Sequence, residues 1–169
     1  MTKNEELEYG FFPSSLGTLL VAQSKKGVCA ILIGSTRAPL MADLKRRFPS
    51  AILNRGGATL TARAKIIANL IDKPKSNPIL PLDIRGTDFQ KRVWRALCQI
   101  PPGKTASYAD IARKINAPKA MRAVAGACAA NPLSIVIPCH RVVRSDGALS
   151  GYYWGIPRKQ KLLEIEGAR

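Results

Sequence analysis

The sequence predicts an α/β segment followed by a mostly helical one. Residues 17–23 and 28–33 are apolar and rich in β-formers, with Ser24-Lys25-Lys26-Gly27 between them, the mark of a hairpin. Residues 39–48 and 60–72 repeat apolar positions at helical spacing. From Thr87 onward, helix caps and helix breakers follow one another at short intervals.

The elements can be taken in order. The 39–48 helix brings Leu40, Leu44 and Phe48 together. Residues 50–58, with Asn54 and Gly56-Gly57, read as a loop. The 60–72 helix aligns Ala64, Ile67, Leu70 and Ile71. Three prolines in the segment from Lys73 through Pro81 mark a linker, and residues 80–84 fit an edge strand. Thr87 caps a helix through Phe89, Val93, Trp94 and Leu97, which Pro101-Pro102-Gly103 ends. A last helix is expected over 158–166. The change of texture near residues 75–88 divides the chain into an α/β domain over 1–85 and a second domain over 86–169.

Between Ser107 and Asn131 the pattern is that of two helices and a short turn. Ser107 is an N-cap with Asp110 three residues on, and Tyr108, Ile111, Ala112 and Ile115 follow at helical spacing. Asn116-Ala117 turns the chain, Pro118 opens the second helix, and Lys119 to Ala130 runs to the stop at Asn131-Pro132. This is a helix-turn-helix candidate. Between Lys119 and Asn131 its only charge is Arg122, among Ala, Gly and Val. Small residues let a backbone come close to another surface, and one long cation then projects as a probe. An alanine-rich core helix with an exposed arginine would show the same pattern.

Composition narrows the partners. The formal charge is +16, which favours a polyanion such as nucleic acid. Residues 86–169 carry 14 Lys or Arg against 5 Asp or Glu, and residues 1–85 carry 13 against 6, so charge alone does not locate a binding face. With 46% hydrophobic residues the chain can build a core. No apolar run approaches the ~20 residues of a membrane span. The leading residues Met1 to Glu8 are polar and acidic, so no secretory signal is expected and a cytoplasmic or nucleoid-associated protein is. Cys29, Cys98 and Cys128 lie among apolar residues and read as core. Without a C-x-x-C pair, and with a single histidine, no metal site and no cofactor are expected.

The fourth cysteine carries chemistry. Residues 137–141 read Ile-Pro-Cys-His-Arg, and His140 is the only histidine. Thiolate, not thiol, is the nucleophile, and a nearby base makes one. The apolar residues Leu133, Ile135, Val136 and Ile137 suggest a strand that delivers Cys139 to a basic, partly exposed pocket near Arg141 and Arg144. In an extended segment neighbouring side chains point to opposite faces, so a water is expected between Cys139 and His140. Glu164 and Glu166 are the carboxylates available to orient the imidazole. Tyr152, Tyr153 and Trp154, set between Gly151 and Gly155, are candidate walls for a planar base. Two other classes share parts of this pattern: a Cys-His hydrolase, and a helix-turn-helix regulator or damage sensor that binds DNA without transfer.

Asn131-Pro132, Ile137-Pro-Cys-His-Arg-Val-Val143, Gly151-Tyr152 and Glu166-Gly167 together resemble the O6-alkylguanine-DNA alkyltransferase family, above all the C-terminal half of its bacterial Ada members. The likeness extends through Pro81 to Thr87, Phe89 to Trp94 and Arg144 to Lys159. It implies a ribonuclease-H-like N-terminal domain and a C-terminal domain with a winged helix-turn-helix-like motif. It implies single-use transfer of the alkyl group from O6-alkylguanine, and from O4-methylthymine, in double-stranded DNA to Cys139, by a monomer. His140 is then the base acting through water, Glu166 rather than Glu164 its orienting carboxylate, Asn131 a hinge, and Tyr108 the residue that turns the nucleotide and bonds the base. Arg122 is the finger that fills the gap left by the flipped base, with Lys119, Met121, Ala123 and Arg141 beside it on the DNA. The base pocket takes Val142, Tyr152, Tyr153, Trp154 and Lys159. Residue 121 is Met where smaller aliphatics are common, and residue 153 is Tyr where Ser or Arg is familiar. The family's N-terminal zinc–cysteine domain has no counterpart in these 169 residues, so transcriptional activation through it is not expected.

Overall fold

The computed structural model describes residues 4–169, so Met1 to Lys3 of the polar leading segment lie outside the described residues. The first half is a mixed four-stranded sheet with a helix on each face. Strands β1 (Glu6–Ser14), β2 (Gly17–Gln23) and β3 (Val28–Gly34) form an antiparallel meander. Strand β4 (Ile52–Arg55) pairs parallel to β1, giving the order β3-β2-β1-β4. Helix α1 (Arg37–Arg47) sets Leu40 against Gly34, and α2 (Ala58–Asp72) sets Leu60 against Gly10. The register puts these glycines on opposite faces, which explains why β2 and β3 are nearly continuous buried runs rather than alternating ones.

Two expectations for this half are corrected. Residues 50–58 are not all loop, because Ile52–Arg55 is the edge strand β4, tied to Glu6–Tyr9. Residues 80–84 do not form a strand; one parallel bridge, Leu82 to Val28, is what remains. Gly27 makes even that bridge possible. Its φ is +152°, and a Cβ there would meet the Pro81 carbonyl oxygen at 2.5 Å.

The second half begins with α3 (Asp88–Leu97). Its Thr87 capping box is reciprocal: the Gln90 amide donates to the Thr87 hydroxyl at 3.1 Å, and the Thr87 amide to the Gln90 side chain at 2.9 Å. Ser107 and Asp110 do the same for α4 (Tyr108–Lys114). Asn116, at φ +59°, turns the chain toward α5 (Met121–Ala129). The expected helix from Lys119 is therefore shorter, with Lys119 in the turn before it. Trp94 of α3 donates its indole N–H to the Ala127 carbonyl at 2.9 Å and fixes α5 on α3. Two short strands, β5 (Ala106–Ser107) and β6 (Val142–Val143), pair in parallel, and α6 (Ile156–Ile165) closes the chain.

One apolar core runs through both halves, from Leu7 to Leu162. The Ile31 amide of β3 donates to the Pro132 carbonyl at 2.8 Å, so the segment that leads to Cys139 is fastened to the sheet. Arg158 adds a strut, donating to the Leu16 carbonyl at 2.8 Å and to the Trp154 carbonyl at 3.0 Å. Among the described residues no helix is long and apolar enough to cross a membrane.

Candidate active site

No strand delivers Cys139. The Val136 amide donates to the Ser134 carbonyl at 2.9 Å, a three-residue turn centred on Ile135 at φ +76°. The Cys139 amide donates to the Ile137 carbonyl at 2.8 Å, a second such turn centred on Pro138. Cys139–Arg141 then make one 3-10 turn that runs into β6. A β-branched residue with positive φ is costly and persists only where its surroundings enforce it. Here the bridge from Leu133 to Ile31, the bridge from Ser134 to Ile137, and the Trp154 indole N–H on the Ser134 hydroxyl do so.

The expected partly exposed pocket is also corrected: Cys139 is 6% exposed. Burial pushes its thiol up, while the hydrogen bond from Asn131 and the charge of Lys159 pull it back. Asn131 stands just past the end of α5. Its Nδ2 donates to the Ile137 carbonyl at 2.8 Å and to Cys139 Sγ at 3.3 Å, and its Oδ1 accepts from the Leu133 amide at 2.9 Å. One side chain thus fixes both turns and offers a donor to the sulfur, the arrangement a thiolate favours.

His140 is buried, with Nε2 2.8 Å from Glu166 Oε1. The pairing fixes the tautomer: Nε2 carries the proton given to the carboxylate, and Nδ1 is free to accept one. Burial lowers the pKa of His140 against the opposing pull of Glu166, so the imidazole is a neutral base near pH 7. Burial alone would raise the carboxyl of Glu166, but hydrogen bonds from His140 and Arg141 overcome it and hold the group at about 2. Glu164 faces solvent and accepts from Gln160 at 3.0 Å.

Arg141 is not on a DNA-facing surface. It is 5% exposed, grips both oxygens of Glu166 from Nε at 2.9 Å and Nη2 at 2.8 Å, and donates Nη1 to the Ile100 carbonyl at 2.7 Å. The bidentate fork satisfies a buried carboxylate that His140 alone would leave half-bonded. Nothing in the sequence shows that a cation beside His140 has its partner 25 residues on.

The remaining candidates divide by exposure. Lys119, in the turn before α5, and Met121, Arg122 and Ala123, at its start, are exposed, and Gly126 and Ala129 continue the exposed face. Among the described residues nothing lies within 4 Å of a Cβ built on Gly126, so their packing does not require glycine there. Tyr108, at the start of α4, is half-buried and hydrogen-bonds the Ser150 hydroxyl at 2.5 Å. Burial raises its phenol, partly offset by that bond. Ser150 had no signal in the sequence, yet its carbonyl also meets Lys159 Nζ at 3.5 Å. Lys159 is 1% exposed and lowered by burial, which the neighbouring Cys139 opposes. Val142 is buried in β6.

The aromatic segment does not supply three pocket walls. Trp154 is buried against Ser134. The Tyr153 side chain turns to α1, where its hydroxyl accepts from Arg46 at 2.8 Å and lies 3.3 Å from both oxygens of Asp43, under the Arg47 guanidinium. The Tyr152 hydroxyl is buried and, among the described residues, has no hydrogen-bond partner. Among the described residues no three His, Cys, Asp or Glu side chains converge as a metal ion would need.

Residues 88–168 match the domain family described as "6-O-methylguanine DNA methyltransferase, DNA binding domain". The chain is 49% identical over 168 residues to the bifunctional transcriptional activator/DNA repair enzyme Ada of Escherichia coli, covering 97% of this chain and 46% of that one. It spans about half the length of the Ada relatives it matches. It is 41% identical over 160 residues to the methylated-DNA–protein-cysteine methyltransferase of Methanosarcina barkeri, covering 94% and 96%. The crystal structure of Mycobacterium tuberculosis OGT in complex with DNA superposes with a TM-score of 0.74 at 34% identity, covering 96% of this chain and 92% of that one. Likeness of that order along nearly the whole of a shorter relative leaves no room for a borrowed motif: the chain belongs to the methylated-DNA–protein-cysteine methyltransferase family.

Proposed function

We propose that this protein repairs DNA by taking the alkyl group of O6-alkylguanine, and of O4-methylthymine, irreversibly onto Cys139. The observation that carries the reading is the contact from Asn131 to Cys139, which joins the exposed helix α5 to a buried thiol backed by imidazole and carboxylate.

Residues 86–169 act on DNA, with α4 and α5 as a winged helix-turn-helix-like pair, and residues 1–85 form a ribonuclease-H-like scaffold. The small exposed face of α5 approaches duplex DNA, and Arg122 enters the space a nucleotide leaves when it turns outward. Extrusion costs a few kcal/mol, less for a damaged base. The Cys139 proton passes through a water to Nδ1 of His140, whose new charge Glu166 stabilises. Sγ forms its bond to the alkyl carbon as the bond from that carbon to O6 breaks. The electron pair stays on guanine, where Tyr108 steadies the charge until guanine takes up a proton. Partial burial keeps the Tyr108 phenol protonated and so able to donate.

S-alkylcysteine is a thioether with no ready leaving group, so each molecule reacts once. The protein acts as a monomer in the cytoplasm, on the nucleoid. A regulator that only bound DNA would have no use for a histidine held as a neutral base behind a buried thiol. Excess duplex containing radiolabelled O6-methylguanine tests the reading: label transferred to protein should stop at one methyl per molecule. Continued loss of methyl from DNA beyond that count would overturn it.

A further inference from the structure

Between β6 and α6 the chain runs from Arg144 to Gly155 without helix or strand. Ties from Ser150 and Tyr153 lead it to opposite halves of the protein. The Ser150 hydroxyl meets Tyr108 at 2.5 Å, at the start of α4. Three residues on, the Tyr153 hydroxyl accepts from Arg46 at 2.8 Å and donates to Asp43 at 3.3 Å, on α1. The Asp43 carboxylate also accepts from Arg46 and, at 3.2 Å, from Arg47, whose guanidinium stands 5.3 Å from the centre of the Tyr153 ring. One carboxylate, two guanidiniums and a phenol thus form a polar latch between the halves. Apolar packing adds little to it, because Tyr153 is 47% exposed. The segment and α1 share a cavity of about 680 Å3, lined by Leu40, Asp43, Arg46, Tyr153, Trp154 and Arg158. Trp154 is held separately, buried and with its carbonyl on Arg158 at 3.0 Å, so the latch governs the stretch before it. Gly151 in that stretch is exposed, and among the described residues nothing lies within 4 Å of a Cβ built there. Three residues span about 11 Å of chain at most, so where Tyr153 stays, Ser150 stays beside Tyr108.

We propose that Tyr153 is a positioning residue that sets which alkyl groups the site accepts: latched to Asp43, Arg46 and Arg47, it keeps Ser150 against Tyr108 and favours methyl over bulky groups. The inference rests on the alkyl-transfer reading above, in which Tyr108 bonds the turned-out base. A methyl group is taken with the latch closed. A benzyl group is taken only when the segment from Ser150 to Tyr153 swings outward, which breaks the hydrogen bonds to α1. The first half of the protein then selects the substrate, although none of the reacting groups lies in it.

Asp43→Ala opens the latch away from the reacting groups, and alanine suits the interior of a helix. On duplexes carrying O6-methylguanine or O6-benzylguanine, methyl transfer to Cys139 should keep the parental rate. Benzyl transfer should rise about tenfold, the weight of an exposed hydrogen-bonded pair and a cation–π contact together. Tyr153→Phe keeps the ring over Arg47 and should give a smaller gain of the same kind. The double variant should fall short of the product of the two gains, because both changes cut one contact. A benzyl-to-methyl ratio equal to the parent's, or a double variant that reaches the full product, would overturn the proposal. Hydrogen exchange reads the latch without any alkyl group. In Asp43→Ala the amides of residues 150–153 should exchange faster than in the parent, and those of α6 should not. Unchanged exchange over 150–153 would also overturn the proposal. A parent that places neither group on Cys139 gives a different result, which overturns the alkyl-transfer reading first and the selection by size with it.

Discussion

The side-chain amide of Asn131 reaches the sulfur of Cys139 at 3.3 Å while holding the Ile137 carbonyl at 2.8 Å. The residue that follows the exposed helix α5 in the chain is thus also the one that holds the sulfur of Cys139. Asn131→Ala would leave the Ile137 carbonyl and the Leu133 amide without this partner in a buried place. It should cost about 2–4 kcal/mol of stability, read as a lower melting temperature. It should also raise the Cys139 thiol further, read as slower alkylation by iodoacetamide at neutral pH.

Arg141 offers a test of a corrected expectation. If it serves Glu166 rather than DNA, Arg141→Leu should destabilise the fold by about 3–5 kcal/mol, the cost of removing one partner of a buried pair. Affinity for undamaged duplex, and its dependence on salt, should stay as in the parent. A salt slope reduced by about one would return Arg141 to the DNA surface.

Acid should weaken the fold in two stages. The ordinary pKa of His140 is 6.5 and burial lowers it in the folded state. The unfolded chain therefore binds the proton first, and stability falls as pH drops below about 6.5. Glu166 is held at about 2 against an ordinary 4.5, so its contribution is full above 4.5 and lost as pH falls through that interval toward 2. In urea melts across pH, Glu166→Gln should flatten the lower stage. An unchanged slope below 4.5 would mean that the relay does not link folding to pH.

Gly126 and Arg122 probe the exposed face of α5. An Ala at 126 meets nothing within 4 Å, so Gly126→Ala should stabilise the helix by about 1 kcal/mol. If α5 meets DNA as proposed, Gly126→Leu should fold equally well yet bind duplex more weakly, because its side chain would stand between backbone and DNA. Parental binding by the leucine variant would remove this face from the interface. Arg122→Ala should slow repair in duplex more than in single strands, and equal slowing on both would remove its role in flipping.

Local signals made some of this legible and long-range ones did not. The caps at Thr87 and Ser107 act within four residues, and α3 and α4 begin where those residues say. Strand β4 is four residues long, and its character comes from pairing with Glu6–Tyr9, over forty residues earlier, so Asn54 and Arg55 read as loop. Ile135-Val136-Ile137 has the composition of a strand. The bridge from Leu133 to Ile31 and that from Ser134 to Ile137, with Asn131 bonded to the Leu133 amide and the Ile137 carbonyl, bend it instead into consecutive turns. At the site, Cys139 and His140 stand out because they are adjacent and the histidine is alone. The burial of the thiol, the Arg141 fork and the Ser150 contact with Tyr108 depend on which distant segments meet, and no local pattern encodes that.

The destination of the alkyl group decides whether Cys139 is the acceptor. Incubation with a duplex carrying one O6-methylguanine, followed by proteolysis and mass mapping, measures this directly. The peptide containing Cys139 should gain the mass of one CH2, in proportion to guanine restored, with Cys29, Cys98 and Cys128 unmodified. A gain on any other residue, or restored guanine with no gain on Cys139, would contradict it.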